Sequence, residues 1–73
     1  MAQFSERLKE LRNERKLKQQ ELADICGVKI RTLQDYEYGK CYPTALGLVF
    51  LAEYFDVSLD YLMGRTDKRE INQ

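Results

Sequence analysis

Apolar residues recur along the chain in five short bursts, spaced at helical intervals with no strand-like alternation. Phe4, Leu8 and Leu11 stand at i, i+4 and i+7, the core stripe of a first helix expected over Phe4–Arg15. Ser5 is its predicted cap, and Glu6, Lys9, Glu10, Asn13 and Glu14 form its wet face, with internal ion pairs. Leu17 anchors the connection that follows. Leu22 and Ala23 face inward from a second helix over Gln19–Cys26, and Leu33 and Tyr36 from a third over Ile30–Tyr38, with Val28 plugging the corner between them. Pro43 and Thr44 open a fourth helix over Ala45–Phe55, with Thr44 as cap. Ser58 caps a fifth, in which Leu59, Leu62 and Met63 face inward and Gly64 ends the turn. The pattern predicts a compact all-α domain of five helices over residues 1–64. Residues 65–73 form a short polar C-terminal tail, expected to fray or to serve as a partner-binding arm.

The fourth helix breaks the amphipathic rule. Leu48, Leu51, Ala52 and Phe55 supply its inward face, yet Leu46, Phe50 and Tyr54 repeat at i, i+4 and i+8 on another. Each large apolar side chain left in water forgoes roughly 1.5–3 kcal/mol of burial. Such a stripe in so small a domain calls for a cover, either a second copy of the chain or extra packing by the tail.

The stretch Gln19–Gly39, QQELADICGVKIRTLQDYEYG, organises the rest. Ala23 is small where two helices must cross closely, and Gly27 stands where the chain leaves the first helix at an angle that glycine adopts without steric cost. Helix, tight turn, helix is the pattern of a helix-turn-helix, whose second helix enters the DNA major groove. The run RLKELRNERKLKQQELADICGVKIRTLQDYEYGK, with VSLDYLMGRTD after it, resembles the lambda-repressor-like (Cro-type, XRE-type) helix-turn-helix family over residues 5–67.

That resemblance implies a homodimeric, sequence-specific transcriptional regulator, most commonly a repressor, on a palindromic operator of double-stranded DNA. It places base reading on Ile30, Arg31, Thr32 and Asp35, with Lys29 and Gln34 close by. These side chains have the chemistry to read bases. Arginine forks onto guanine O6 and N7, glutamine pairs with adenine, aspartate accepts from cytosine N4, and threonine or isoleucine packs on a thymine methyl. The resemblance also implies phosphate contacts at Lys18, Gln19 and Lys40 and a structural ion pair between Arg12 and Glu37. At Tyr38 and Tyr42, where the family usually has Asn before the glycine and basic residues after it, this chain departs from the pattern, and the tyrosine hydroxyls are expected to bond phosphates in their place. Lys18 replaces the family's capping hydroxyl, so a cap worth ~1 kcal/mol is expected to be missing. On the dimer reading the interface comprises Leu46, Phe50 and Tyr54, with Tyr61 added from the fifth helix by resemblance.

Charge complicates this picture. Twelve basic and twelve acidic residues cancel, where a DNA-binding face should be basic. The imbalance is regional and small: nine Lys/Arg against seven Asp/Glu in residues 1–40, then three against five. A protein-interaction module with weak or no DNA binding is therefore the competing reading. An enzyme is not expected, since the chain has no histidine, no nucleophile–base pair and no glycine-rich phosphate loop. Cys26 and Cys41, fifteen positions apart without histidine, make no zinc site, and they read as a half-buried thiol and a loop thiol in a reducing compartment. No cofactor or small-molecule ligand is expected. No apolar run approaches the ~20 residues of a membrane span and no leader pattern opens the chain, so a cytoplasmic location is expected.

Overall fold

Phe4, Leu8 and Leu11 line one side of helix α1 (Phe4–Glu14), and the computed structural model, which describes residues 3–70, wraps four further helices around that stripe. These are α2 (Gln19–Cys26), α3 (Ile30–Glu37), α4 (Ala45–Phe55) and α5 (Leu59–Leu62). One core joins them all: Leu8, Leu22, Leu33, Leu51 and Leu62 are fully buried, one from each helix. No helix among the described residues is long and apolar enough to cross a membrane.

The helix ends follow local chemistry. Thr44 and Ser58 cap α4 and α5, their hydroxyls accepting from the Gly47 and Tyr61 N–H at 3.2 and 3.0 Å. Gly27 ends α2 at φ 71°, in the left-handed region where a side chain would be strained. Helix α1 starts differently from expectation: its cap is Gln3, and Ser5 lies inside the first turn. It also stops at Glu14, one residue short of Arg15. Helix α3 likewise ends at Glu37, and Tyr38 is its C-cap. At α2 the hydroxyl cap is indeed absent, but the Lys18 N–H donates to Glu21 Oε1 at 2.7 Å. One orphan donor is thus satisfied from the opposite direction, the reciprocal half of a capping box.

Two expectations fail at the C-terminal end. Leu59 does not face inward; it is 42 % exposed, while Tyr61 is 3 % exposed and joins the core. A single helical turn has no period to assign its faces, and the packing against α1 decides. Nor does the tail fray over its described part. The Ser58 N–H donates to the Arg69 carbonyl at 2.7 Å, and the Arg69 guanidinium forks onto Glu14 and reaches Glu10 at 3.3 Å. Residues 71–73 of the expected tail lie outside the described residues.

Beneath this strap sits Arg7, a buried charge that the sequence does not announce. Its guanidinium lies 3.9 Å from the Tyr61 ring centroid and donates to Asp67 Oδ1 at 2.8 Å. Its Nε is buried without a partner.

Candidate nucleic-acid interface

Glu37, at the end of α3, fixes the orientation of the helix-turn-helix. Its side chain is wholly buried and accepts from Arg12 Nε at 2.6 Å, Arg12 Nη2 at 3.1 Å and Gln19 Nε2 at 3.1 Å. Arg12 also donates to the Leu17 carbonyl at 2.8 Å, so α1, the α1–α2 connection, α2 and α3 meet at one carboxylate. Each buried charge is paired and hydrogen-bonded, as a low-dielectric site requires.

That lock leaves the outer face of α3 free. Lys29, Ile30 and Arg31, at the cap and first turn, are exposed, and the turn carries no acidic residue. Thr32 and Asp35 follow, half-buried along the same side. Arg31 Nε lies 3.8 Å from Asp35 Oδ1, a loose pair across one turn that water screens and a base edge can replace. Gln34 stands apart. It turns toward α2, where its Nε2 donates to Gln19 Oε1 at 3.3 Å.

The five positions assigned to phosphates are placed unequally. Lys18, Tyr38, Lys40 and Tyr42 are exposed around the ends of α2 and α3. The Tyr42 ring also packs on Phe4, with centroids 5.5 Å apart, which holds the α3–α4 loop against α1. Gln19 is half-buried, and both ends of its side-chain amide are engaged by Glu37 and Gln34. With its side chain so held, Gln19 presents the surface with its backbone N–H, at the first position of α2.

The apolar face also differs in membership from the sequence reading. Leu46 is 82 % exposed and Phe50 43 %, but Tyr54 is half-buried between Phe50 and Phe55 with the Arg15 guanidinium over its ring. Tyr61 is withdrawn altogether, its ring flanked by Arg7 and Arg69. In their place Val49 and Leu59 are exposed. Val49 belongs to the same all-round apolar helix and was open to detection from its place beside Leu46 and Phe50. No local signal marks Leu59.

Cys26 is half-buried and Cys41 exposed, both free. Burial pushes the Cys26 thiol above its ordinary range, which makes it a poor nucleophile. No cluster of metal-ligating side chains occurs among the described residues.

Two short helices crossed over a left-handed glycine, the second with its outer face open, define a helix-turn-helix domain. Comparison with known proteins agrees. Residues 5–68 match a family described as "Helix-turn-helix domain", and the chain belongs to the XRE-type helix-turn-helix family. It is 37% identical over 70 residues to the uncharacterized HTH-type transcriptional regulator YqaE of Bacillus subtilis strain 168, covering 96% of this chain and 60% of that protein. It is 35% identical over 65 residues to the HTH-type transcriptional regulator AnsR of the same organism, covering 89% of this chain and 56% of that one. A crystal structure of a transcriptional regulator from Listeria innocua superposes with a TM-score of 0.83 at 38% identity, covering 88% of this chain and 60% of that one. The chain thus spans about 60% of the length of the first relatives it matches. The similarity is to transcriptional regulators, and the fold is shared with them.

Proposed function

We propose that the chain is a sequence-specific double-stranded-DNA-binding transcriptional regulator that acts as a homodimer on a palindromic operator. The observation that carries this reading is the exposed first turn of α3, with Lys29, Ile30 and Arg31 free of internal partners other than the loose Arg31–Asp35 pair. In the major groove Arg31 forks onto a guanine, Ile30 or Thr32 packs on a thymine methyl, and Asp35 accepts from a cytosine amine. Lys18, Lys40, Tyr38 and Tyr42 hold the flanking phosphates, and Gln34 positions α2 against α3 without touching a base. Two copies meet through Leu46, Val49, Phe50 and Leu59 and place their α3 helices in successive major grooves, ~34–36 Å apart. Repression by occluding polymerase asks nothing of the chain beyond occupying its site, and it is the regulatory outcome proposed. The cytoplasm is the compartment where that duplex is met.

Selection from a randomised duplex pool at moderate salt, with Arg31→Ala as control, tests the proposal. A two-fold-symmetric motif that the variant loses supports a sequence-reading dimer. No enrichment even at low salt would overturn it in favour of a protein-interaction module, the reading that the neutral net charge favours.

A further inference from the structure

The segment 66–70 makes contacts that no property of a solvated tail explains. Among the described residues Asp67 alone takes a side-chain hydrogen bond from the buried Arg7 guanidinium, although its own side chain is almost wholly exposed. Two positions on, Arg69 crosses α1 and binds Glu14 and Glu10, while its Cζ stands 5.1 Å from the Tyr61 ring centroid. The Tyr61 hydroxyl donates to the same Glu10, at 3.3 Å. Tyr61 is therefore held by two arginines, one from α1 and one from the tail.

The backbone contact carries the consequence further. Arg69 accepts from the N–H of Ser58, the cap of α5, and the Ser58 hydroxyl lies 3.4 Å from the Lys68 carbonyl. Helix α5 is only four residues long, too short to hold a position by its own hydrogen bonds. It is fixed by Leu62 and Tyr61 in the core and by the strap across its cap. Ser58 also lines a shallow recess of about 310 Å³ with Val49, Ala52, Val57 and Leu59 and with the acidic Glu53 and Asp60. Strap and recess thus share α5, the strap fastening its cap and the recess drawing on its first residue.

We infer that residues 66–70 form a charge-latched strap whose closure positions α5, and with it the Leu59 half of the apolar face, so that strap closure and self-association are coupled. The coupling rests on the dimer reading given above; the latch itself does not. A latch made of ion pairs is reversible, and anything that engages Arg69 or Asp67 elsewhere loosens the association of two copies without touching their contact surface.

The test uses Arg69→Glu and the charge swap Arg69→Glu/Glu14→Arg, each read in two ways. Hydrogen exchange at the Ser58 amide reports the latch, and it is also read in a Phe50→Glu background, where association plays no part. Sedimentation equilibrium reports self-association. Arg69→Glu is expected to speed Ser58 exchange and to weaken association, each by roughly tenfold or more, and the swap to restore both. Unchanged Ser58 exchange, or no recovery in the swap, would overturn the latch. Faster exchange with unaltered association would overturn the coupling. A wild-type chain that stays monomeric throughout would overturn the dimer reading and the coupling with it, leaving the exchange data to judge the latch alone.

Discussion

Asp56 ends α4 in the left-handed region, at φ 55°, where a side chain clashes and glycine does not. Its carboxylate also sits at the negative end of the helix dipole. Both effects oppose the native state, so Asp56→Gly should raise the unfolding free energy by about 0.5–1 kcal/mol, read as a shift in the urea midpoint at constant m. Lys16 shares the backbone angle, at φ 56°, without the adverse charge, and its replacement by glycine should gain less. Arg7 presents the opposite case. With Nε unpartnered and Asp67 the acceptor of its one side-chain hydrogen bond among the described residues, Asp67→Ala leaves the buried guanidinium with no acceptor among them. A buried donor left unsatisfied costs about 1–3 kcal/mol, and water reaching the vacated position keeps the loss near the lower end. Asp67→Ala should therefore lower the midpoint although it removes an exposed side chain, whereas Lys68→Ala, its neighbour, should leave the midpoint unmoved.

Three of the helices are tied to one carboxylate, and removing it affects all three. Glu37→Ala strands Arg12, 12 % exposed at its side chain, with only the Leu17 carbonyl, and it frees Gln19 and through it Gln34. Breaking a buried pair from one side costs about 3–5 kcal/mol, so the variant should be the most destabilising single change proposed for this domain, read as the largest drop in midpoint. The starts of α4 and α5 and the corner after α2 were legible in the sequence because their causes are local or patterned: Thr44 and Ser58 before apolar runs, Gly27 at the turn. The Arg12–Glu37 lock was expected by family resemblance alone. The faces of the fifth helix and the strap were not legible. Leu59 and Tyr61 differ in burial through what α1 offers them, and tyrosine, with an apolar ring and a polar tip, suits either place. Arg69 finds Glu14 across 55 positions, a separation at which spacing carries no signal. Hydrogen bonds from Arg69 hold the Glu14 carboxyl below the usual carboxylate range. A carboxyl whose folded value is depressed contributes stability above its ordinary value and loses it as pH falls through the depressed one. Glu14 faces Arg69 from the tail and shares it with Glu10 on α1, so acid should release Arg69 and lower the protection of the Ser58 amide, measured against the intrinsic exchange rate at each pH, ahead of the amides of α5 itself.

At the scale of the whole molecule, zero net charge hides a division of labour. The basic residues around the α2–α3 surface are Lys18, Lys29, Arg31 and Lys40, whereas Arg7, Arg12 and Arg69 are paired with carboxylates of the same chain. Arg15, though exposed, lies over the rings of Tyr54 and Phe55. Most of the arginine charge thus serves the fold, and its count says little about affinity for a polyanion. What matters is the number of cations that displace counterions from phosphate. With Arg31 given to a base and Lys29 beside it in the groove, Lys18 and Lys40 remain in each copy, four cations in a dimer, and the expected slope of log K against log salt is about −3.5 on B-DNA. A domain that binds as one copy on an isolated half-site should show about half that slope. Phe50→Glu places a carboxylate in the apolar face on α4, away from the outer face of α3, and should convert the steeper line into the shallower one while preserving preference for the same half-site. Fluorescence anisotropy from about 50 to 200 mM salt, on the full operator and on one half, separates the cases as an order-of-magnitude test. Parallel steep lines for both proteins would mean that Phe50 does not join the copies. A flat line for either would mean that the lysines face solvent only, and that Ile30, Tyr38 and Tyr42 are exposed for a protein partner.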